Sequence, residues 1–217
     1  MKTHVKNNIR PIISSLKRHY GNVKKTALNF ANPLEILVST ILSAQCTDER
    51  VNKVTPHIFK KYKTAGDYAR ADRKDFEQEI RSTGFYHNKA KNIVKACEII
   101  DKKYGGRVPD KMDELLELPG VARKTANVVL GNAYGIVEGI AVDTHVRRLS
   151  MRLGLSANDA PEKIEIDLMK IVDRKDWFSI SNMLIAHGRK ICKAPVPICS
   201  VCFLSKICPK IGVTKGN

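Results

Sequence analysis

Apolar residues recur at steps of three and four along nearly the whole chain. No segment alternates apolar with polar long enough to build a sheet. An all-α fold is therefore expected, and short β-branched runs such as Ile140-Ala141-Val142 are too brief to change that. Asn32 followed by Pro33 reads as an N-cap with proline at the first helical position. It opens PLEILVSTILSAQ, whose apolar residues cover most of the circumference and predict a central, buried helix. Asp48 is expected to cap the next helix, ERVNKVTPHIFKKY, with Pro56 kinking it or ending its first part. Further helical stretches are DRKDFEQEIRST, NKAKNIVKACEIIDKKYG, DKMDELLEL, ARKTANVVLGNAYG, DTHVRRLSMRLG, PEKIEIDLMKIV and DWFSISNMLIAHGRKIC. Gly84, Gly105, Gly106, Gly120, Gly135 and Gly154 fall where these should break. The texture has no fixed period, which argues against a solenoid.

At 217 residues the chain has room for one large domain or two small ones, and 43% apolar with 28% charged residues excludes global disorder. Its 38 basic residues against 22 acidic ones leave a net charge of +16. Such a field attracts polyanions and predicts binding that weakens steeply with salt. Sign alone does not separate DNA from RNA or an anionic membrane. The start, MKTHVKNNIRPIIS, lacks an apolar run of signal-peptide length, and no stretch is apolar enough to span a bilayer. Secretion and membrane spanning are both disfavoured, so a cytoplasmic protein with no membrane partner is expected.

Residues 116 to 130, LELPGVARKTANVVL, carry the most informative internal signal. An apolar helix end runs into Pro119-Gly120, and another helix starts almost at once. Gly120 permits close backbone approach, and the second helix offers N–H groups at its positive end, so the hairpin reads as a phosphate cradle or as a tight packing turn. Lys124 lies in the first turn of that second helix beside Arg123. Both the helix dipole and the neighbouring cation are expected to lower its pKa, which favours an amine able to attack an electrophilic carbon. Taken singly, Lys124 reads as a solvated charge or a phosphate contact; position and company carry the case. Asp143, in IAVDTHVRRL, reads as an N-cap. Capping N–H groups would also hold its carboxylate ionised and fixed in direction, fit to steady a positive sugar or accept a proton.

Of six cysteines, Cys46 and Cys97 stand alone in apolar surroundings and read as small buried hydrophobes. Cys192, Cys199, Cys202 and Cys208 form C-x6-C-x2-C-x5-C. Such quartets bind zinc or iron-sulfur clusters, and spacing by itself does not decide which. Disulfides rank last, because no secretory signal points to an oxidising compartment.

Taken together, LPGVARKTANVVL, then VDTHVRR with its aspartate nineteen residues after the lysine, then the four-cysteine tail resemble the endonuclease III family of DNA glycosylases, within the helix-hairpin-helix superfamily. LSAQCTDERVN and GFYHNKAKNI share the likeness, which runs from about residue 25 to 208. The resemblance implies an all-α, two-domain enzyme with DNA bound across the cleft. A six-helix bundle with the hairpin would span 25–137, and a helical iron-sulfur domain would take 1–24 plus 138–217. It implies Lys124 as Schiff-base nucleophile, Asp143 as catalytic carboxylate, and a [4Fe-4S] cluster on Cys192, Cys199, Cys202 and Cys208. Gln45 matches the residue that fills the gap left by an extruded nucleotide, Phe85 stands where the family often has an aliphatic wedge, and Asp48 matches a lesion-pocket residue. Leu118, Gly120 and Ala122 of the hairpin, and Lys193 between the first two cluster cysteines, would face DNA. Two positions depart from the family pattern: Ala122 replaces the hairpin's usual second glycine, and Phe85 is bulkier than the usual wedge.

The activity so implied is removal of oxidised pyrimidines from duplex DNA, with nicking 3′ to the abasic site by β-elimination, in a monomeric enzyme. A rival is a glycosylase removing thymine or uracil opposite guanine; a third reading, from another class, is a non-catalytic module that docks on phosphate. The adenine-removing branch has a further C-terminal domain for which this chain has no room.

Overall fold

The computed structural model describes residues 2–21 and 26–214, with side chains from Ile9 onward in the first stretch. No strand occurs among the described residues, and 140–142 is irregular. The chain divides into two compact units. One spans Thr26–Glu138; the other takes the first helix and everything from Gly139 onward. The boundary expected between residues 24 and 25 lies outside the described residues.

The Thr26–Glu138 unit is built on α2 (Pro33–Leu42). Its N-terminus forms as the Asn32-Pro33 signal predicts: the Asn32 side chain accepts from the Glu35 N–H at 3.0 Å, and Glu35 accepts in return from the Ala31 N–H at 2.6 Å. All of Leu34 to Leu42 except Glu35 is buried, so α2 is the axis of this core. Around it lie α3 (Asp48–Lys61), α4 (Ala65–Ala69), α5 (Arg73–Glu79), α6 (Tyr86–Lys103), α7 (Met112–Leu116) and α8 (Arg123–Val129). α8 runs on into one π turn, Leu130–Tyr134. α6 packs on α4 and α5, and α8 on α2 and α7.

One local expectation needs correction. The N-cap of α3 is Thr47, whose side chain accepts from the Arg50 N–H at 3.2 Å, and Asp48 is the first helical residue. An acidic side chain there still faces the positive helix end. Pro56 does not end α3, which continues to Lys61. The short α4 was not expected, although Thr64 and Asp67 form a capping box around its start.

The other unit joins α1 (Lys2–Tyr20) to α9 (Thr144–Arg152), α10 (Pro161–Ile171) and α11 (Trp177–Lys190). Ile9, Ile12, Ile13, Leu16 and Tyr20 repeat at helical spacing along α1 and enter a core shared with Val146, Leu149, Ile180 and Leu184. α11 packs between α1 and α9. Lys17 pairs with Asp176 at 2.6 Å, and the ring of His19 stacks on Phe203 of the C-terminal segment with centroids 3.6 Å apart.

Candidate functional site

In the Thr26–Glu138 unit the hairpin joins α7 to α8 through 117–122. The Val121 N–H donates to the Leu118 carbonyl at 3.0 Å, closing a turn with Gly120 at its corner. Gly120 has φ +80°, and a Cβ added there would lie 2.9 Å from the Asn92 Cβ on α6. Glycine is thus required twice, for backbone sign and for close approach. Gly120→Ala is expected to lower stability by about 2 kcal/mol and to push the hairpin off α6. A lowered melting temperature with weakened binding to an abasic duplex would show both. Leu118 is buried, and its carbonyl serves the turn, so any contact it makes with a ligand goes through main chain.

Ala122 is the N-cap of α8, extended at φ −86° and ψ 169°, and among the described residues no side chain caps this end. The first N–H groups of a helix have no intrahelical acceptor. Lys124, second residue of α8, is exposed. Ala126, Asn127 and Val129 anchor the opposite face in the core.

Gln45 and Phe85 are two of the three non-glycine residues with positive φ among the described residues, at 51° and 48°. Both side chains are exposed, and 62% of the Phe85 surface is open to solvent. Left-handed backbone costs about 1–2 kcal/mol per residue. At Phe85 this strained backbone coincides with an exposed aromatic ring. Asp48, half-buried, begins α3 three residues after Gln45.

In the other unit Asp143 is the N-cap of α9, as its sequence context predicts. Its Oδ1 accepts from the Val146 N–H at 2.8 Å, and its carbonyl accepts from the Arg147 N–H at 2.9 Å. The residues before it are pinned: Ile140 and Val142 are buried, and the Ser181 hydroxyl donates to the Ala141 carbonyl at 2.6 Å. The carboxylate is therefore held at both ends of its segment.

Cys192, Cys199, Cys202 and Cys208 line one cavity, with Leu149, Arg152 and His187 also in its wall. Nitrogen groups surround the sulfurs. Arg152 Nη1 lies 3.3 Å from Cys192 Sγ, His187 Nε2 is 3.5 Å from Cys202 Sγ, and the Lys210 N–H reaches Cys208 Sγ at 3.4 Å. Burial, reinforced by the neighbouring cysteines, raises the Cys202 and Cys208 thiols. Ionising such a group of sulfurs needs positive charge among them. Burial, with some help from His19, pushes the His187 imidazole down to about 4. Among the described residues no three His, Cys, Asp or Glu side chains gather as one metal ion requires.

Sequence reasoning missed Arg148 and Arg152, which stand four apart on α9 and hold the segment carrying Lys193. Arg152 donates to the carbonyls of Lys193 and Pro195, and Arg148 to those of Gly188 and Cys192. Lys193 itself is exposed. Lys89 was also missed, though it lies on α6 four residues before the buried Ile93, a lysine on the apolar face of its helix.

Comparison with known proteins gives a consistent result. Residues 38–174 match the family described as HhH-GPD superfamily base excision DNA repair protein. The chain is 52% identical over 198 residues to endonuclease III of Synechocystis sp., covering 91% of this chain and 90% of that protein. It is 49% identical over 179 residues to endonuclease III of Bacillus subtilis, covering 82% and 81%. Among solved structures, a trapped covalent intermediate of endonuclease III with DNA superposes with a TM-score of 0.90 at 44% identity, covering 94% of this chain and 96% of that one.

Proposed function

This chain belongs to the endonuclease III family, within the HhH-GPD superfamily of base excision DNA repair proteins, and is a DNA glycosylase/lyase; from that premise we propose which residues do the chemistry and on which bases. Lys124 is the nucleophile. The observation that carries this is its exposed amine in the first turn of a helix that no side chain among the described residues caps, directly after the Gly120 hairpin. Hairpin N–H groups and the +16 field hold the phosphate backbone and fix register without reading sequence.

A base inside a duplex is out of reach, so its nucleotide must swing out, at a cost of a few kcal/mol that is smallest for damaged or mismatched bases. Gln45 and Phe85 enter the stack and offset the lost contacts. Asp48 contributes to the pocket for the extruded base. The neutral Lys124 amine attacks C1′ of the sugar as the C1′–N bond breaks and the base leaves with its electron pair; the amine then loses a proton, and its lone pair forms the C1′=N bond as the C1′–O4′ bond breaks and the ring oxygen takes up a proton. Asp143 stabilises positive charge on the sugar or accepts a proton from the amine. The resulting imine acidifies the C2′ proton, whose removal expels the 3′ phosphate as the C3′–O bond breaks. One nucleophile thus gives base removal and a nick.

Oxidised pyrimidines are the proposed substrates. Duplexes bearing thymine glycol, uracil opposite guanine, a G·T mismatch or an abasic site, scored separately for base release and nicking, test this. Release and nicking at thymine glycol are expected. Base release confined to uracil and the mismatch would move the assignment to a mismatch glycosylase, and an intact abasic duplex would leave only docking.

Family likeness suggests a cluster, and the donor set fits one: four half-buried cysteines lining a common cavity, with hydrogen-bond donors at their sulfurs. We assign a [4Fe-4S] cluster to Cys192, Cys199, Cys202 and Cys208. When bound it supplies a cross-link through four thiolates. Arg152 then holds the Lys193 segment against the cavity wall for contact with DNA backbone. Purified protein is expected to be brown with about four irons per chain, and Cys202→Ser to lose both colour and thermal stability. Colourless, zinc-containing protein would overturn the metal assignment and leave the lyase chemistry standing.

A further inference from the structure

Gln45 and Phe85 lie forty residues apart in the chain, on two turns whose backbones are both strained. One buried side chain holds the two turns together. Lys89, only 4% exposed, extends its Nζ to the Leu42 carbonyl at 2.7 Å and to the Thr83 carbonyl at 2.8 Å. Leu42 is the last residue of α2, three before Gln45; Thr83 closes the short 3-10 turn Arg81–Thr83, two before Phe85. The Lys89 N–H also donates to the Phe85 carbonyl at 3.1 Å. A buried ammonium is costly unless carbonyls receive its protons, and burial pulls the Lys89 pKa down. A methionine would fill similar space without that cost, so packing alone does not account for a lysine here. Charge-assisted bonds to two main-chain carbonyls fix a distance between two loops, which an apolar side chain does not do.

We propose that Lys89 is a positioning residue whose ammonium couples the Gln45 turn to the Phe85 turn, so that both side chains meet the duplex as one pre-set wedge. This rests on the reading of Gln45 and Phe85 as the inserted residues. Spacing set during folding removes an ordering cost that would otherwise fall on the strand-opening step. That step is needed on paired DNA and not on a single strand.

The test compares the full-length holoenzyme with Lys89→Met, Gln45→Ala, Phe85→Ala and the combinations, on an abasic site in a duplex and in a single-stranded oligonucleotide. 2-Aminopurine opposite the duplex abasic site reports insertion by its fluorescence. Lys89→Met is expected to lower the duplex-to-single-strand ratio of kcat/KM about tenfold and to suppress the fluorescence change. Its effect should vanish in the Gln45→Ala/Phe85→Ala background. Equal losses on both substrates, or losses that add across the double variants, would mean that Lys89 only supports the fold, and would overturn the proposal while leaving the wedge intact. Unchanged duplex cleavage and fluorescence in Gln45→Ala and Phe85→Ala would instead remove the wedge, and the proposal with it. Should Lys89→Met fail to fold, Lys89→Gln, which keeps a donor to one carbonyl, is read in the same way, with Lys89→Arg expected to recover part of the ratio.

Discussion

Lys124→Gln is expected to abolish the protein–DNA adduct that borohydride traps at an abasic site, and to lower strand cleavage by at least about 10³-fold. Glutamine is an uncharged polar side chain one atom shorter than lysine with a similar helix propensity, and the anchoring face of α8, Ala126, Asn127 and Val129, is untouched. Loss of activity is therefore not loss of fold, and circular dichroism and melting temperature should match the parent. Duplex affinity should change little, because one lysine is a small part of a +16 field. Arg123, next along the helix, cannot replace it: a guanidinium stays protonated and does not form the imine. The adduct is the decisive readout, since it needs a covalent C–N bond and not merely a bound strand. An undiminished adduct in Lys124→Gln would transfer the nucleophile to another lysine of this lysine-rich chain.

How much of this was legible beforehand follows the range of the interactions involved. Asn32-Pro33 and Asp143 could be read as helix starts because a cap is made within three residues. The breaks at six glycines were legible for the same reason, and all six have positive φ. The start of α3 was misplaced by one residue, since Thr47 and Asp48 are both good caps and only the backbone decides which takes the extended conformation. α4, five residues long, is too short to show a period, and its Thr64–Asp67 box was the available signal. Pro56 removes one N–H from α3 without ending it. Buried Val51, Thr55 and Ile58 lie on both sides of it and hold α3 in one piece. The hairpin was legible as a turn, but the reason for its glycine was not, because Asn92 comes from a different helix. Lys89 and Arg152 lay further out of reach, with acceptors 47 and 41 residues away, set by tertiary packing. Composition showed a chain rich in lysine and arginine; it did not show which few of them are buried.

At Asp143 the observed cap and the proposed chemical role can be separated, because they use different properties of one side chain. The cap needs a short side chain with an oxygen that accepts the Val146 N–H. The chemistry needs negative charge. Asp143→Asn keeps the acceptor and removes the charge, whereas Asp143→Ala removes both. Asparagine is therefore expected to melt within about a degree of the parent, and alanine lower by a few degrees, from the loss of about 1 kcal/mol of capping energy. Base release should fall about 10²-fold or more in both variants alike, measured on a thymine glycol duplex under single-turnover conditions. Because asparagine preserves the start of α9, an activity loss seen only with alanine would make Asp143 a cap and nothing more. The carboxylate role would then pass to another acidic residue, with Asp48 the first to substitute. An equal loss in both variants, with stability lost in one, places the charge itself in the reaction.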